Sequence, residues 1–425
     1  MDEQRLRLEG IYKQNNQGEY MQRVKLPGGL LSRVQARTLA ELGQKFGSGT
    51  LHLTTRGSLE FHNLREEDLP HVHRGLAAVG LFSRGACGGA VRGISCSTSF
   101  GPGYGRVQVL LRHFLGHFSG NPHFEGLPKK FKIAFEAGYE RSRHLIQDLA
   151  VVLVEEAGDD SLYDVWLAGG LGREPRPAFL FADRVAEQDL LPLTEAVIET
   201  YRDGAAKGRR LKHLLIEIGE EELRQRIGQK REGKAPRAFV DAFDKALAPP
   251  EGLRRVPVSI FAGELSAQQL AQLVELAAEQ DCHWLLVTPD QDLEFLVEEV
   301  QPFEARLDAN GFILAEGYGA LRICPGNHEC RMGLCATRDL AQRLEGELGD
   351  LIRGRSFAIS GCPNSCAQPQ LAEVGILASK LQREGDRRFP LFDLYLRSGD
   401  GLGEMVAAGL TEDQLFARLK ELLKA

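Results

Sequence analysis

Cys324 and Cys330 in CPGNHEC, followed by Cys362 and Cys366 in GCPNSC, set a C-x5-C pair against a C-x3-C pair in the last quarter of the chain. Four thiolates within reach of one site select soft metals, so iron–sulfur, zinc and copper are the candidates and hard cations are not. Structural zinc sites mostly pair cysteines two to four residues apart. The wider gap, with Pro, Gly and Asn inside the loops, suits a bulkier iron–sulfur cluster, and that is the expectation.

A second set of candidates is cationic. In KKFK, strand alternation turns Lys130 and Lys132 to the same side. Two like charges on one face are costly unless an anion lies between them, which favours a functional pair. Arg56 in TTR and Arg92 in VRG stand at the ends of predicted strands, where a surface arginine is commonplace. Their place in an internal repeat adds weight to them.

That repeat organises the whole chain. VKLPGGLLS (Val24 to Ser32) aligns with VSIFAGELS (Val258 to Ser266), an offset of 234 residues. Without a gap, Gln35 falls on Gln269, Leu39 on Leu273, Leu51 on Leu285, Thr54 on Thr288 and Leu59-Glu60-Phe61 on Leu293-Glu294-Phe295. Each copy reads as strand, glycine turn, amphipathic helix begun by a serine cap, then two strands. AVRGISCS (Ala90 to Ser97) further echoes ALRICPGN (Ala320 to Asn327), and FKIAF (Phe131 to Phe135) echoes FAISG (Phe357 to Gly361). The expected fold is α+β with a pseudo-twofold, duplicated architecture, each half a small module plus a larger one. The boundaries expected are 1–80, 81–250, 251–317 and 318–425. Chemistry diverged between the halves: Arg56 falls opposite Asp290, and the Cys362/Cys366 loop lies opposite a stretch with Tyr139 and no cysteine.

Composition bounds the rest. With 425 residues, 43% hydrophobic and a net charge of -7, the chain reads as two to three ordinary globular domains. No run of eighteen apolar residues occurs and MDEQRLRLEG is not a signal peptide, so no membrane role and a cytoplasmic location are expected. Eight unevenly spread cysteines look like metal ligands in a reducing compartment. Mild acidity argues against nucleic acid. The Lys/Arg-rich stretch from about Glu217 to Pro250 is interleaved with acids and reads as a solvated helix up to Ile227, then a linker. Gly101 to Gly105 reads as a loop, and no flavin or nicotinamide fingerprint is present.

Taken in order, YMQRVKLPGG, LTTRGSLEFH, VRGISC, LPKKFKIAF, CPGNHEC and GCPNSC resemble the sirohaem-containing nitrite/sulfite reductase family over nearly the whole chain. The resemblance implies two ferredoxin-like half-modules forming one domain, with the two larger modules sandwiching sirohaem and a [4Fe-4S] cluster. It makes Cys324, Cys330, Cys362 and Cys366 the cluster ligands, Cys366 also the bridge to the sirohaem iron, and Asn364 a contact of the macrocycle, against a plain turn asparagine. It places Arg56, Arg92, Lys130 and Lys132 around a small anionic substrate, sulfite or nitrite, with a ferredoxin or flavoprotein as donor. Lysine at the second basic position, Lys132, leans toward sulfite, giving six-electron reduction to sulfide, with nitrite reduction to ammonia as the alternative. A precorrin-3B synthase-like oxygenase keeping the cluster without sirohaem is a further alternative, disfavoured by the four cations. The short N-terminal region favours a monomer.

Four cysteines remain. Cys335 follows Cys330 by five and competes with it as a ligand; it is read as a buried helix residue instead. Cys87 and Cys96 flank Arg92, as structural groups or modifiers of the site, and Cys282 reads as core.

Overall fold

The computed structural model describes residues 2–15, 17–98, 100–158, 160–237, 249–250, 252–315 and 321–424. The repeat is visible first in its helices. Arg33–Lys45 and Ala267–Glu279 lie 234 residues apart at both ends, and each starts on a capping box, Ser32 with Gln35 and Ser266 with Gln269. Such a serine cap is worth about 1 kcal/mol over alanine. The two helices pack closely: a Cβ added at Gly43 would lie 2.9 Å from that of Ala267. Even the turn before each helix is copied, with Gly28 at φ 58° and Ala262 at φ 57°.

Around these helices stand two sheets, and each half lends the other a strand. One sheet runs Ile11–Lys13, Tyr20–Val24, Leu59–Leu64, Thr50–Leu53 and then Glu264–Ser266 from the second half. The other runs Arg254–Val258, Leu293–Val297, Trp284–Val287 and then Leu30–Ser32 from the first. The exchange pairs Leu265 with Leu51 and Leu31 with Leu285, all buried in a single core shared by both halves. The α+β reading and the two ferredoxin-like half-modules therefore hold, but as one interlocked unit whose exchanged strands the sequence pattern did not reveal.

The larger modules repeat as well. In the second, Leu321–Ile323 runs parallel to Phe357–Ser360, which runs parallel to Val374–Glu384; Arg387–Leu396 and Glu404–Leu410 complete the sheet antiparallel. In the first, Val91 bridges Phe131 in parallel, and Ile133–Glu136, Leu149–Glu155, Leu162–Leu167 and Phe179–Ala186 follow in the same pattern. A helix crosses over each parallel pair, Tyr104–Phe118 in one and Thr337–Ile352 in the other. Two expectations need correction. The 101–105 stretch is not all loop, since Gly103 at φ 73° caps the helix that starts at Tyr104. Cys335 is buried but lies in a bend before the Thr337–Ile352 helix rather than within it. The charged region forms helices Leu211–Ile218 and Glu220–Arg231, while the expected linker falls mainly on 238–248, outside the described residues. Among the described residues no helix is long and apolar enough to cross a membrane.

Candidate active site

Neighbouring parallel strands deliver the thiols. Cys324 directly follows Leu321–Ile323, and Cys362 follows Phe357–Ser360 by one glycine, so both sit beyond the carboxyl ends of adjacent strands. Ligands in such sheets gather at that edge. The loops need small residues: Gly326 has φ 59°, and a Cβ on Gly333 would collide with the Gly326 backbone. Cys324, Cys330, Cys362 and Cys366 all line one cavity of about 670 Å³ and none is in a disulfide. No three His, Cys, Asp or Glu side chains among the described residues converge on a single-ion position.

Backbone amides point at these sulfurs. Gly361 N–H donates to Cys324 Sγ at 3.0 Å, Gly326 contributes a second, Met332 and Gly333 serve Cys330, and Asn364 serves Cys362 through backbone and side chain. Burial pushes the Cys324, Cys330 and Cys362 thiols up, and these donors oppose it by favouring the thiolate. Such N–H donors also tune an iron–sulfur cluster. Asn364 thus faces the thiol cavity in addition to forming its turn. Cys335 lies outside the cavity lining, and burial pushes it up to about 12.

The same cavity is also lined by cations. Arg56 occupies the turn between Thr50–Leu53 and Leu59–Leu64, donating to Gln147 Oε1 at 3.0 Å and to the Gly93 carbonyl at 2.7 Å. Arg92, 8% exposed, donates to the Ala86 carbonyl. Lys130 and Lys132 flank Phe131, the buried residue that bridges Val91, so they share a face without belonging to a regular strand. The Lys132 backbone is tied to Asp148 at 2.8 Å, and the fully buried Asp148 takes both Arg210 Nε and Nη2. Burial first, then repulsion from its cationic neighbours, lowers the Lys130 ammonium to about 8, with the Cys366 sulfur opposing. Burial followed by Lys130 and Arg56 holds Lys132 well below the ordinary lysine value. Burial and then Arg92 bring Arg56 down to about 9.

Arg56, Arg92, Lys130, Lys132, Asn364 and the four cysteines Cys324, Cys330, Cys362 and Cys366 therefore all line one cavity. Sequence reasoning missed further cations there, among them Arg23, Lys129, Arg173, Arg209, Arg210 and Lys212. Arg23 and Lys129 stand inside YMQRVKLPGG and KKFK, while Arg209, Arg210 and Lys212 stand in the run KGRRLKH (207–213), some eighty residues from KKFK. Among the described residues thirteen Lys and Arg line the cavity against three Glu, and although Arg23 is paired with Glu60 and Arg210 with Asp148, the excess favours an occupant with several negative charges. A multiply carboxylated macrocycle with an oxyanion beside it fits that lining, and four thiolates at one end fit an iron–sulfur cluster.

A larger cleft of about 1210 Å³ is the pseudo-twofold counterpart of this cavity. Thr288, Asp290, Asp292 and Glu294 line it where Thr54, Arg56, Ser58 and Glu60 line the first. Ser97 and Thr98 line it, and the backbone and hydroxyl of both donate to Oε2 of the buried Glu136 at 2.8 to 3.0 Å. It lacks both the cysteine quartet and the cluster of lysines. Asp292 there accepts the Ile260 N–H at 2.9 Å, and burial lifts its carboxyl from 3.8 to about 7. Because the folded value is raised, the ionised form is penalised, and stability falls as pH rises between about 4 and about 7. Asp292→Asn, which keeps the acceptor oxygen, is expected to stabilise the fold by at most about 4 kcal/mol at pH 8 and less at pH 5, read by urea unfolding at both pH values.

Comparison with known proteins agrees. Residues 12–79 match the nitrite/sulfite reductase ferredoxin-like half domain, and 106–235 match the nitrite and sulphite reductase 4Fe-4S domain. The second match falls on the copy without the cysteines, as a duplicated domain allows. Ferredoxin–nitrite reductase of Synechococcus elongatus is 31% identical, covering 99% of this chain and 89% of its own. The chain belongs to the nitrite and sulfite reductase family. Sulfite reductase [ferredoxin] 1 of Mycolicibacterium paratuberculosis is 29% identical over 95% of the chain and 80% of its own. The solved NirA protein of Mycobacterium tuberculosis superposes with a TM-score of 0.84 at 25% identity, covering 99% of the chain and 86% of NirA. The reductase is thus an oxidoreductase, and its cofactors are a [4Fe-4S] cluster and sirohaem.

Proposed function

We propose that the reductase is a cytoplasmic, sirohaem-dependent sulfite reductase carrying out six-electron reduction of sulfite to sulfide with a ferredoxin as donor. The observation that carries this reading is the convergence of Arg56, Arg92, Lys130 and Lys132 on the cavity that also holds Cys324, Cys330, Cys362 and Cys366. In it, Cys324, Cys330, Cys362 and Cys366 would hold the cluster, with Cys366 also reaching the sirohaem, and Asn364 would contact the macrocycle. The cofactor pair would relay the donor's electrons and offer an iron for the substrate to bind. The guanidiniums of Arg56 and Arg92 hold substrate oxygens by charge-assisted hydrogen bonds. Lys130, lowered to about 8, can give up a proton near neutral pH to an oxygen leaving as water. Lys132 beside it adds positive charge where negative charge develops.

Four converging cations match doubly charged sulfite better than singly charged nitrite, which supports sulfite together with Lys132 at the second basic position. The ferredoxin donor is supported by the names of the relatives, which include ferredoxin-dependent enzymes of both kinds. Steady-state turnover of purified holoenzyme with reduced ferredoxin tests it. Sulfide formed at a higher kcat/KM than ammonia from nitrite supports the assignment; nitrite reduced far faster makes the protein a nitrite reductase.

A further inference from the structure

Duplication put one loop position to two uses. Arg56 and Asp290 occupy equivalent turns, in which Thr54 N–H reaches the Ser58 carbonyl and Thr288 N–H the Asp292 carbonyl, both at 2.9 Å. Arg56 faces the reactive cavity. Asp290, 8% exposed, instead receives Arg143 at 2.6 Å and Arg322 at 3.0 Å on one carboxylate oxygen. Both arginines are buried, and both reach onward to the loop that follows Cys366. Arg143 Nε donates to Gln368 Oε1 and Arg322 Nε to the Ala367 carbonyl, each at 3.1 Å. Gln368 Nε2 donates to the Thr55 carbonyl at 2.8 Å, and Thr55 Oγ1 to the Cys366 carbonyl at 2.7 Å. A second branch runs from the Arg143 carbonyl through Gln147 to Arg56. Ser365 and Gln368 hold left-handed φ values of 54° and 61°, a conformation that non-glycine residues keep only when their surroundings impose it.

We propose that Asp290, Arg143 and Arg322 are positioning residues that lock the Cys366 loop to the Thr55–Arg56 turn, fixing the spacing between the thiolate end and the anion end of the cavity. The carboxylate is the keystone, because two buried guanidiniums sharing one site need an anion between them. The inference rests on the reading of Cys366 as a cofactor ligand, and the test separates the two.

The experiment compares Asp290→Asn holoenzyme with the parent by hydrogen–deuterium exchange and by a spectroscopically monitored redox titration. Loss of charge-assisted hydrogen bonds should speed exchange in 362–368 and 54–57 by at least about tenfold. Exchange in the remote strand Leu162–Leu167 should be unchanged, and the cluster's midpoint potential should move. Unchanged exchange in both segments, an equal acceleration throughout the chain, or a loosened loop with the parent's potential overturns the proposal. Thr55→Val removes only the hydroxyl on the Cys366 carbonyl and serves if Asp290→Asn does not fold; faster exchange at 365–367 with a shifted potential supports the lock, and parental behaviour overturns it. Cys366→Ser retaining both cofactors would overturn the ligand assignment instead, whatever the exchange result.

Discussion

Cys366→Ser reductase is expected to lose the haem and cluster absorption together, with iron and acid-labile sulfide falling well below the parent's. Cys366, exposed like Cys330, lines the cavity with its carbonyl held by Thr55. Its sulfur acts electrostatically on Cys324, Cys330 and Cys362, so it is the one position that all three other ligands sense. A hydroxyl there is a poor ligand for a soft site. Cys335→Ser is the matching control: its thiol is buried outside the cavity lining, and the variant should keep both chromophores. If Cys366→Ser keeps a parental spectrum and iron content while Cys335→Ser loses them, the ligand set is Cys324, Cys335, Cys362 and one other.

Lys132→Ala and Lys130→Ala should leave that spectrum near normal and depress sulfite turnover by about a hundredfold or more each, the size typical of removing a preorganised donor from a developing negative charge. Both side chains line the cavity together with Arg56 and Arg92, and in the proposed function they act on the substrate and not on the metals. The Lys130 variant should also relieve repulsion on Lys132, whose proton affinity is lowered by burial and then by Lys130. Removing both should therefore cost less than the sum of the single losses. Bleaching of the haem bands in either single variant would show that the lysines hold the cofactor and not the substrate.

How much of this was legible in the chain depends on distance along it. The cysteine loops could be read because C-x5-C and C-x3-C are local, and each sits at the end of a strand whose apolar run, LRI or FAIS, is local too. The duplication was legible because both copies kept the same helix cap and turn at one fixed offset. KKFK announced itself by alternation, although Lys130 and Lys132 share a face through a single bridge at Phe131 rather than through a full strand.

The sequence by itself determined the α+β duplication, through a constant offset, and the family resemblance, through short motifs that hold Cys324, Cys330, Cys362, Cys366, Arg56, Arg92, Lys130 and Lys132. Only the tertiary structure decided that the halves exchange strands at Leu30–Ser32 and Glu264–Ser266, and that Arg23, Arg210 and Lys212 add their charge to the cavity. It alone turned Asp290, the counterpart of Arg56, into the partner of Arg143 and Arg322. The reason is physical: strand exchange and buried ion pairing join residues more than thirty, and often more than two hundred, positions apart. Such pairings are chosen by which surfaces meet when the core closes, and they leave no period or spacing in the chain.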